Sequence, residues 1–354
     1  MKKELGIGVL LVVLCIVVSI MSPVFLHADN LQTMMSLVGI YGIFGMGLGV
    51  VIITGGIDLS VGSVFALQGI IFCMMVHGQL GHPDGGGWMW PWPLALVGSL
   101  FCVMLLGVFH GFLVTKVKLQ PFIVTLCGLL IYRSLARFIA DDQSRGRGVT
   151  DYGVLEKMSA GSYIKIPGFH IGSFHMGALE IPNQFLLLLV ISAVMYVVLH
   201  RSVYGRYLFA VGRNEEAARY SGLNTKLIIG SAYVLCMLLT GISGVLLVFY
   251  LPSVQASSFG NSYELYGIAA AVLGGCSLRG GEGSILGIFL GTALLQVLQN
   301  LVNILNIPTS LNGGVMGVVI LIGVATDQLL AERKRRNASK LTLATPVATQ
   351  APKS

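Results

Sequence analysis

The chain has 354 residues, of which 55% are hydrophobic and only 10% charged, with a mean hydropathy of +0.83. Soluble domains carry about a quarter charged residues, so this composition excludes a soluble domain and indicates a polytopic membrane protein. The formal net charge of +7 does not call for a nucleic-acid partner, because the cations sit beside the apolar runs, where they act as topology signals.

Repeated apolar runs of about 20 residues, each able to cross a core of roughly 30 Å, set the architecture. They lack the alternation of barrel strands, so the expected fold is all-α, a transmembrane helical bundle. Met1-Lys2-Lys3 precedes the first run, residues 5–21. It reads as a retained span, since Leu26 occupies the −3 place before Ala28 and spoils a signal-peptide cleavage site. The second run, residues 33–54, carries Gly42, Gly45, Gly47 and Gly49, and the Gly45/Gly49 spacing lets another backbone approach closely. A polar break, I-T-G-G-I-D-L-S-V-G at 53–62, separates it from the third run, which ends at residue 77. The linker 78–93 has no Lys or Arg but holds Trp88, Trp90 and Trp92, which places it at the outer interface.

The fourth span, 94–114, ends at Lys116 and Lys118, and the fifth, 121–139, has Arg133 and Arg137 near its outer end. His110 in the fourth reads as a helix-facing hydrogen bonder rather than a metal ligand. Residues 141–181 are too polar to span and too long for a simple turn, so they are expected outside, as an ordered cap or docking surface. A sixth span, 182–199, leads to a cytoplasmic loop, 200–226, with Arg201, Arg206, Arg213, Arg219 and Lys226. Spans at 227–250, 263–276, 284–305 and 309–326 follow; the eighth is short enough to be broken or tilted. The basic tail 333–354 is expected to be disordered. The resulting topology is ten spans within residues 1–332, with both termini cytoplasmic. Every cation falls inside except Arg133, Arg137, Arg145, Arg147, Lys157 and Lys165. The six cysteines lie in or beside apolar segments without C-x-x-C pairing and read as buried hydrophobes.

Asp58 is the residue most in need of an explanation, because an aspartate near a bilayer centre costs about 2.5–3.5 kcal/mol on insertion scales. With Gly55, Gly56, Ser60 and Gly62 it leaves two readings, capping of the helix that begins at Val61 or contact with a polar solute in the path. A counterpart at 273–283 shares the pattern G-G-x-x-L, aligning Gly55 with Gly274, and suggests a parallel internal repeat. In the cytoplasmic loop, Gly212-Arg213-Asn214-Glu215-Glu216-Ala217-Ala218 and Gly222 spell one short soluble helix, with Asn214 as N-cap, acids in the first turn and glycine at the stop. Such a helix between two crossings is a handle for another protein. Gly283, Gly287 and Gly291 form a close-packing seam on the ninth span, within the chain or between subunits, and Gly313 to Gly317 repeats the spacing on the tenth. Gln296, Gln299, Asn300 and Asn303 make a polar stripe that either bonds helices together or lines the path.

T-G-G-I-D-L-S-V-G-S at 54–63, G-R-N-E-E-A-A at 212–218 and Y-E-L-x-x-I-A-A-A-V-L-G-G-x-S-L-x-G-G-x-G-S at 263–284 resemble the permeases of ribose/xylose/galactose-type ABC sugar importers. The resemblance runs from the first span to the last and departs at 81–92 and 141–181. It implies a permease subunit paired with a second copy or paralogue, seated on a cytoplasmic ABC ATPase and supplied by a periplasmic sugar-binding protein. It also implies that 212–222 is the ATPase-coupling helix. The chain has no G-x-x-x-x-G-K-[ST] and no Gly-Lys pair, so ATP is expected to be handled by the partner, with no cofactor or metal in this chain. An ion-coupled transporter would need buried ionisable groups, of which Asp58 is nearly the sole candidate. An intramembrane enzyme would need H-E-x-x-H, G-x-G-D or a second deep aspartate, and the sequence has none of these.

Overall fold

A computed structural model describes residues 2–77, 88–148, 151–171 and 174–308, with separate positions between 311 and 321. Most of the expected tenth span, the 333–354 tail and part of the tryptophan linker lie outside the described residues. Helix α1 (Lys2–Met21) is followed by a 3₁₀ turn and by α2 (Ala28–Ile53), then α3 (Val61–His77), α4 (Trp92–Thr115) and α5 (Pro121–Ala140). After segment 141–182 come α7 (Asn183–Tyr196), extended by a π turn to Arg201, and then α10 (Thr225–Tyr250), α11 (Tyr263–Leu273) and α12 (Ile285–Ile304). Among the described residues, seven helices are long and apolar enough to cross a membrane: α1, α2, α4, α5, α7 with its π turn, α10 and α12. Helices α3 and α11 are shorter, and the 11 residues of α11 reach only about 16 Å, half of a bilayer core.

Helix α2 is the axis of residues 1–306, with every residue from Val38 to Ile53 buried. Its glycines are where neighbours come closest. A Cβ at Gly39 would stand 2.6 Å from the Gln184 carbonyl in α7, and one at Gly47 would stand 3.0 Å from the Cys236 backbone in α10. Where lipid tails are as apolar as the side chains, such close backbone packing holds helices together in place of the hydrophobic effect. Phe101, Leu105 and Phe109 of α4 and Leu130, Ile131 and Phe138 of α5 remain exposed, an apolar face suited to lipid.

Segment 141–182 corrects the all-α expectation, because it holds strands. β1 (Ser144–Arg145) pairs antiparallel with β6 (Val254–Gln255), β2 (Ser162–Ile166) with β5 (Leu179–Pro182), and β3 (Phe169–Ile171) with β4 (Phe174–Met176), while α6 (Val154–Ala160) lies between β1 and β2. The run S-Y-I-K-I is too short to span, and its aromatic and β-branched residues favour a strand. Lys165 Nζ bonds Glu180 Oε1 at 2.6 Å and Ser162 Oγ donates to Glu180 Oε2 at 2.6 Å, which together hold the Glu180 carboxyl below its ordinary value. The segment is anchored to the bundle by buried Tyr152, edge-on to Phe249 at 5.0 Å, and by Arg145, which donates to the Ala140 carbonyl at 2.9 Å.

Helices α2 and α11 end in the same device. Gly55 (φ 84°) donates its N–H to Ile52 O at 2.9 Å and Gly56 donates to Val51 O at 3.1 Å. Gly275 (φ 88°) and Cys276 do the same to Val272 O and Ala271 O, each at 2.9 Å. Both are Schellman stops, in which only glycine takes the left-handed position without strain. The backbone therefore equates Gly55 with Gly275, one residue away from the Gly55–Gly274 alignment that the G-G-x-x-L pattern suggests.

Candidate functional site

Beyond the Gly55 stop, residues 56–60 form neither helix nor strand, and α3 starts beside the start of α11, with Gly62 against Gly260 and Glu264. Arg133 of α5 fixes this meeting point by donating to three carbonyls: Gly62 O at 3.1 Å, Ala256 O at 3.0 Å and Phe259 O at 2.7 Å. Glu264, buried in the first turn of α11, lies against Gly62, where any Cβ would overlap its carboxylate. An acid at a helix N-terminus is favoured by the dipole. Helices α3 and α11 thus begin together, about one α11 length from the glycine stops.

Asp58 lies in this 56–60 stretch and is fully buried. Its Oδ1 accepts the Ser60 N–H at 2.9 Å and the Ser60 hydroxyl at 2.7 Å, an Asx turn. Ser60 is the residue before α3, and its carbonyl accepts from Ser63 and Val64. Asp58 therefore stands three residues ahead of Val61, where the helix begins, and braces the residue just before it. The second oxygen, Oδ2, is 3.6 Å from His110 Nδ1, and His110 Nε2 meets the Tyr132 hydroxyl at 2.8 Å. The tautomer that turns Nδ1–H toward the carboxylate leaves Nε2 to accept from Tyr132. Tyr233 of α10 stands edge-on to His110, with ring centroids 6.1 Å apart. Sequence reading picks out Asp58 and His110 separately and misses Tyr132 and Tyr233 as neighbours of His110, as it misses Glu264 beside Gly62.

The 212–222 motif contains the expected short helix, α9 (Glu215–Tyr220), while its first two residues, Gly212 and Arg213, end the preceding helix α8 (Val203–Arg213). Asn214 separates them, and its Oδ1 accepts the Ala217 N–H at 2.9 Å. Glu215 and Glu216 occupy the first turn of α9, Ala218 is buried beneath it, and Gly222 (φ 84°) closes it. Glu215 Oε1 also accepts from Thr225 Oγ1 at 3.1 Å, which ties α9 to the start of α10. A cavity of about 560 Å³ lies beside α9, and Gly55, Gly56, Lys118, Glu215, Glu216 and Tyr233 are among its lining residues. Two motifs far apart in sequence, the first glycine stop and α9, thus share one cavity, and Tyr233 connects it to the Asp58–His110 pair. Gly212 and Arg213, at the end of α8, pack on Ile53 and on the turn that follows α11.

The glycine seam is internal to the chain. Gly287 and Gly291 of α12 face the Gly274 and Ala270 carbonyls of α11, while Gly283 sits in the turn before α12, against Ile53 and Cys276. On the polar stripe, Gln296 is buried and Gln299 half-buried, and Asn300 forms a reciprocal amide pair with Asn30 of α2, at 2.6 and 3.1 Å. Asn300 and exposed Asn303 line a second cavity of about 570 Å³ with Asp29, Asn30 and Thr33. This cavity is at the start of α2, whereas Asp58 follows its end, so the structure does not bring the stripe and the Asp58 cluster together.

A multi-pass bundle with discontinuous helices meeting inside it, and a short polar helix presented at one end, is the architecture of a membrane transport component. The sequence profile described as "Branched-chain amino acid transport system / permease component" matches residues 30–324, and the chain belongs to this family of permeases. It is 33% identical over 326 residues to the ribose import permease protein RbsC of Bacillus subtilis, covering 92% of this chain and 93% of the relative. It is 28% identical to the D-allose transport system permease protein AlsC of Escherichia coli, covering 92% and 91%, and 30% identical to the fructose import permease protein FrcC of Rhizobium meliloti, covering 86% and 79%. No solved structure matches the chain.

Proposed function

We propose that the chain is the permease subunit of an ATP-driven, binding-protein-dependent importer of a simple sugar, resident in a bacterial inner membrane. The cavity shared by α9 and the Gly55 stop carries the mechanism. It supports a coupling helix whose movement reaches the helix ends that shape the path. The sugar assignment is supported by relatives named for ribose, allose and fructose, which match across most of both chains. On this reading the α9 end faces the cytoplasm and an ABC ATPase, the 141–182 segment faces a periplasmic sugar-binding protein, and a second permease copy or paralogue completes the path. Ten spans with both termini cytoplasmic remain our topology, with α3 and α11 as partial crossings, and the two Schellman stops support an internal repeat of helix, glycine turn and helix.

Asp58, Ser60 and the glycines around them shape the start of α3 beside the path. The buried Asp58–His110 pair favours a second reading, an ion-coupled transporter of a small polar solute, because such a carrier needs an intramembrane ionisable pair. Uptake of labelled ribose into vesicles containing permease, ATPase and binding protein separates the two. Uptake that requires the ATPase and ATP supports the importer; uptake undiminished without the ATPase, tracking an imposed proton gradient, supports the carrier.

A further inference from the structure

We propose that Gly212 is a positioning residue that clamps the α8–α9 corner to the ends of both α2 and α11, so that a push on α9 moves the two glycine stops as one body. The inference rests on the reading of α9 as a coupling helix and goes beyond it, because it names the parts the stroke reaches first.

Three backbone segments meet at this corner without intervening side chains. The Gly281 N–H donates to the Ile53 carbonyl at 2.8 Å, which joins the turn after α11 to the last residue of α2. A Cβ on Gly212 would overlap the Ile53 carbonyl oxygen and stand 2.6 Å from Gly281 N. A Cβ on Gly280 would stand 2.7 Å from the Gly212 carbonyl oxygen and 2.9 Å from Gly55 N, and one on Gly281 would stand 2.5 Å from Arg213 Cγ and 2.9 Å from Arg213 N. Backbone contacts have no rotamers with which to absorb a displacement, so motion of one segment is passed to the others. The first residue of α9 is tied to the start of α10 through the Thr225–Glu215 bond, and one residue, Asn214, joins α9 to α8 while capping it.

Gly212 makes a clean probe. It lies in the last turn of α8 with φ outside the positive region, where alanine is the better helix former, so any loss on substitution reports the clamp and not the helix. Gly230 of α10 is the control, since a Cβ there meets nothing nearer than 4.0 Å. In the reconstituted complex of permease, ATPase and binding protein, Gly212→Ala should lower the solute moved per ATP hydrolysed about tenfold, and Gly230→Ala should leave it unchanged. A ratio unaffected by Gly212→Ala overturns the proposal.

A second measurement does not depend on that variant assembling. Spin labels on Arg206→Cys in α8 and Arg279→Cys in the turn after α11, both exposed sites, should keep a constant separation between the nucleotide-free and the ATP–vanadate-trapped complex. Both should shift relative to a label on Lys118→Cys in the α4–α5 turn. A changed 206–279 distance refutes the clamp while leaving coupling intact; no shift against Lys118 in either pair refutes the coupling reading itself and takes the clamp with it.

Discussion

Replacing Asp58 by alanine removes the acceptor that, among the described residues, the structure gives to the buried Ser60 N–H. An orphaned buried donor costs about 1–3 kcal/mol. The Ser60 hydroxyl also loses its partner, but it can rotate and contributes less. Removing a buried carboxylate relieves part of its desolvation, so we place Asp58→Ala at about 1–3 kcal/mol of destabilisation overall. Asparagine keeps an oxygen where Oδ1 stands and so keeps both Ser60 bonds without their charge assistance, and should cost less than about 1 kcal/mol on the brace alone. Denaturant unfolding of the detergent-purified protein, with uptake measured on the same preparations, tests the ranking. If Asp58→Asn is as damaging as Asp58→Ala, the brace on Ser60 is not what Asp58 supplies, and the charge facing His110 at 3.6 Å becomes its main role.

Gly39→Ala should destabilise the bundle by about 1–3 kcal/mol, because the added carbon would sit 2.6 Å from the Gln184 carbonyl with no side chain able to give way; thermal unfolding in micelles measures it. Charge reversal of exposed Glu215 and Glu216 should uncouple ATP hydrolysis from uptake without lowering expression, and normal transport by the double variant would remove α9 from the mechanism. The Glu180 carboxyl is held below its ordinary value by Lys165 and Ser162, so its contribution is present above the unfolded carboxylate range, near pH 4.3, and is lost as pH falls through the depressed folded value. Amide protection, relative to intrinsic exchange, in Ser162–Ile166 and Leu179–Pro182 should fall as the pH drops through the depressed Glu180 value, and Lys165→Met should move that onset upward.

The membrane helices were legible because their signal is a long apolar run, which needs no partner to be recognised: α4, α5 and α10 begin and end within about two residues of expectation. Helix α9 was legible for the opposite reason, since Asn214, Glu215, Glu216 and Gly222 are local cap chemistry that does not depend on packing. Contacts between distant segments were not legible. Nothing near Asp58 in the sequence shows that His110 and Tyr132 face it, because that depends on how α4 and α5 cross the 56–60 stretch. Likewise Arg133, read as an outer-end cation, proves to bind three carbonyls where α3 and α11 begin. The one-residue error in aligning the glycine turns has a similar origin: the pattern G-G-x-x-L counts letters, whereas the turn is defined by which residue takes positive φ.

The central claim is that an ATPase engages this chain at α9. A photo-crosslinking amino acid placed at Ala217, exposed on α9, and separately at Tyr163, exposed on β2, tests it directly in membranes containing the permease, the ATPase and the binding protein. The account predicts an adduct with the ATPase from position 217 and none from position 163. An ATPase adduct from 163, or none from 217 in a complex that transports, would contradict it.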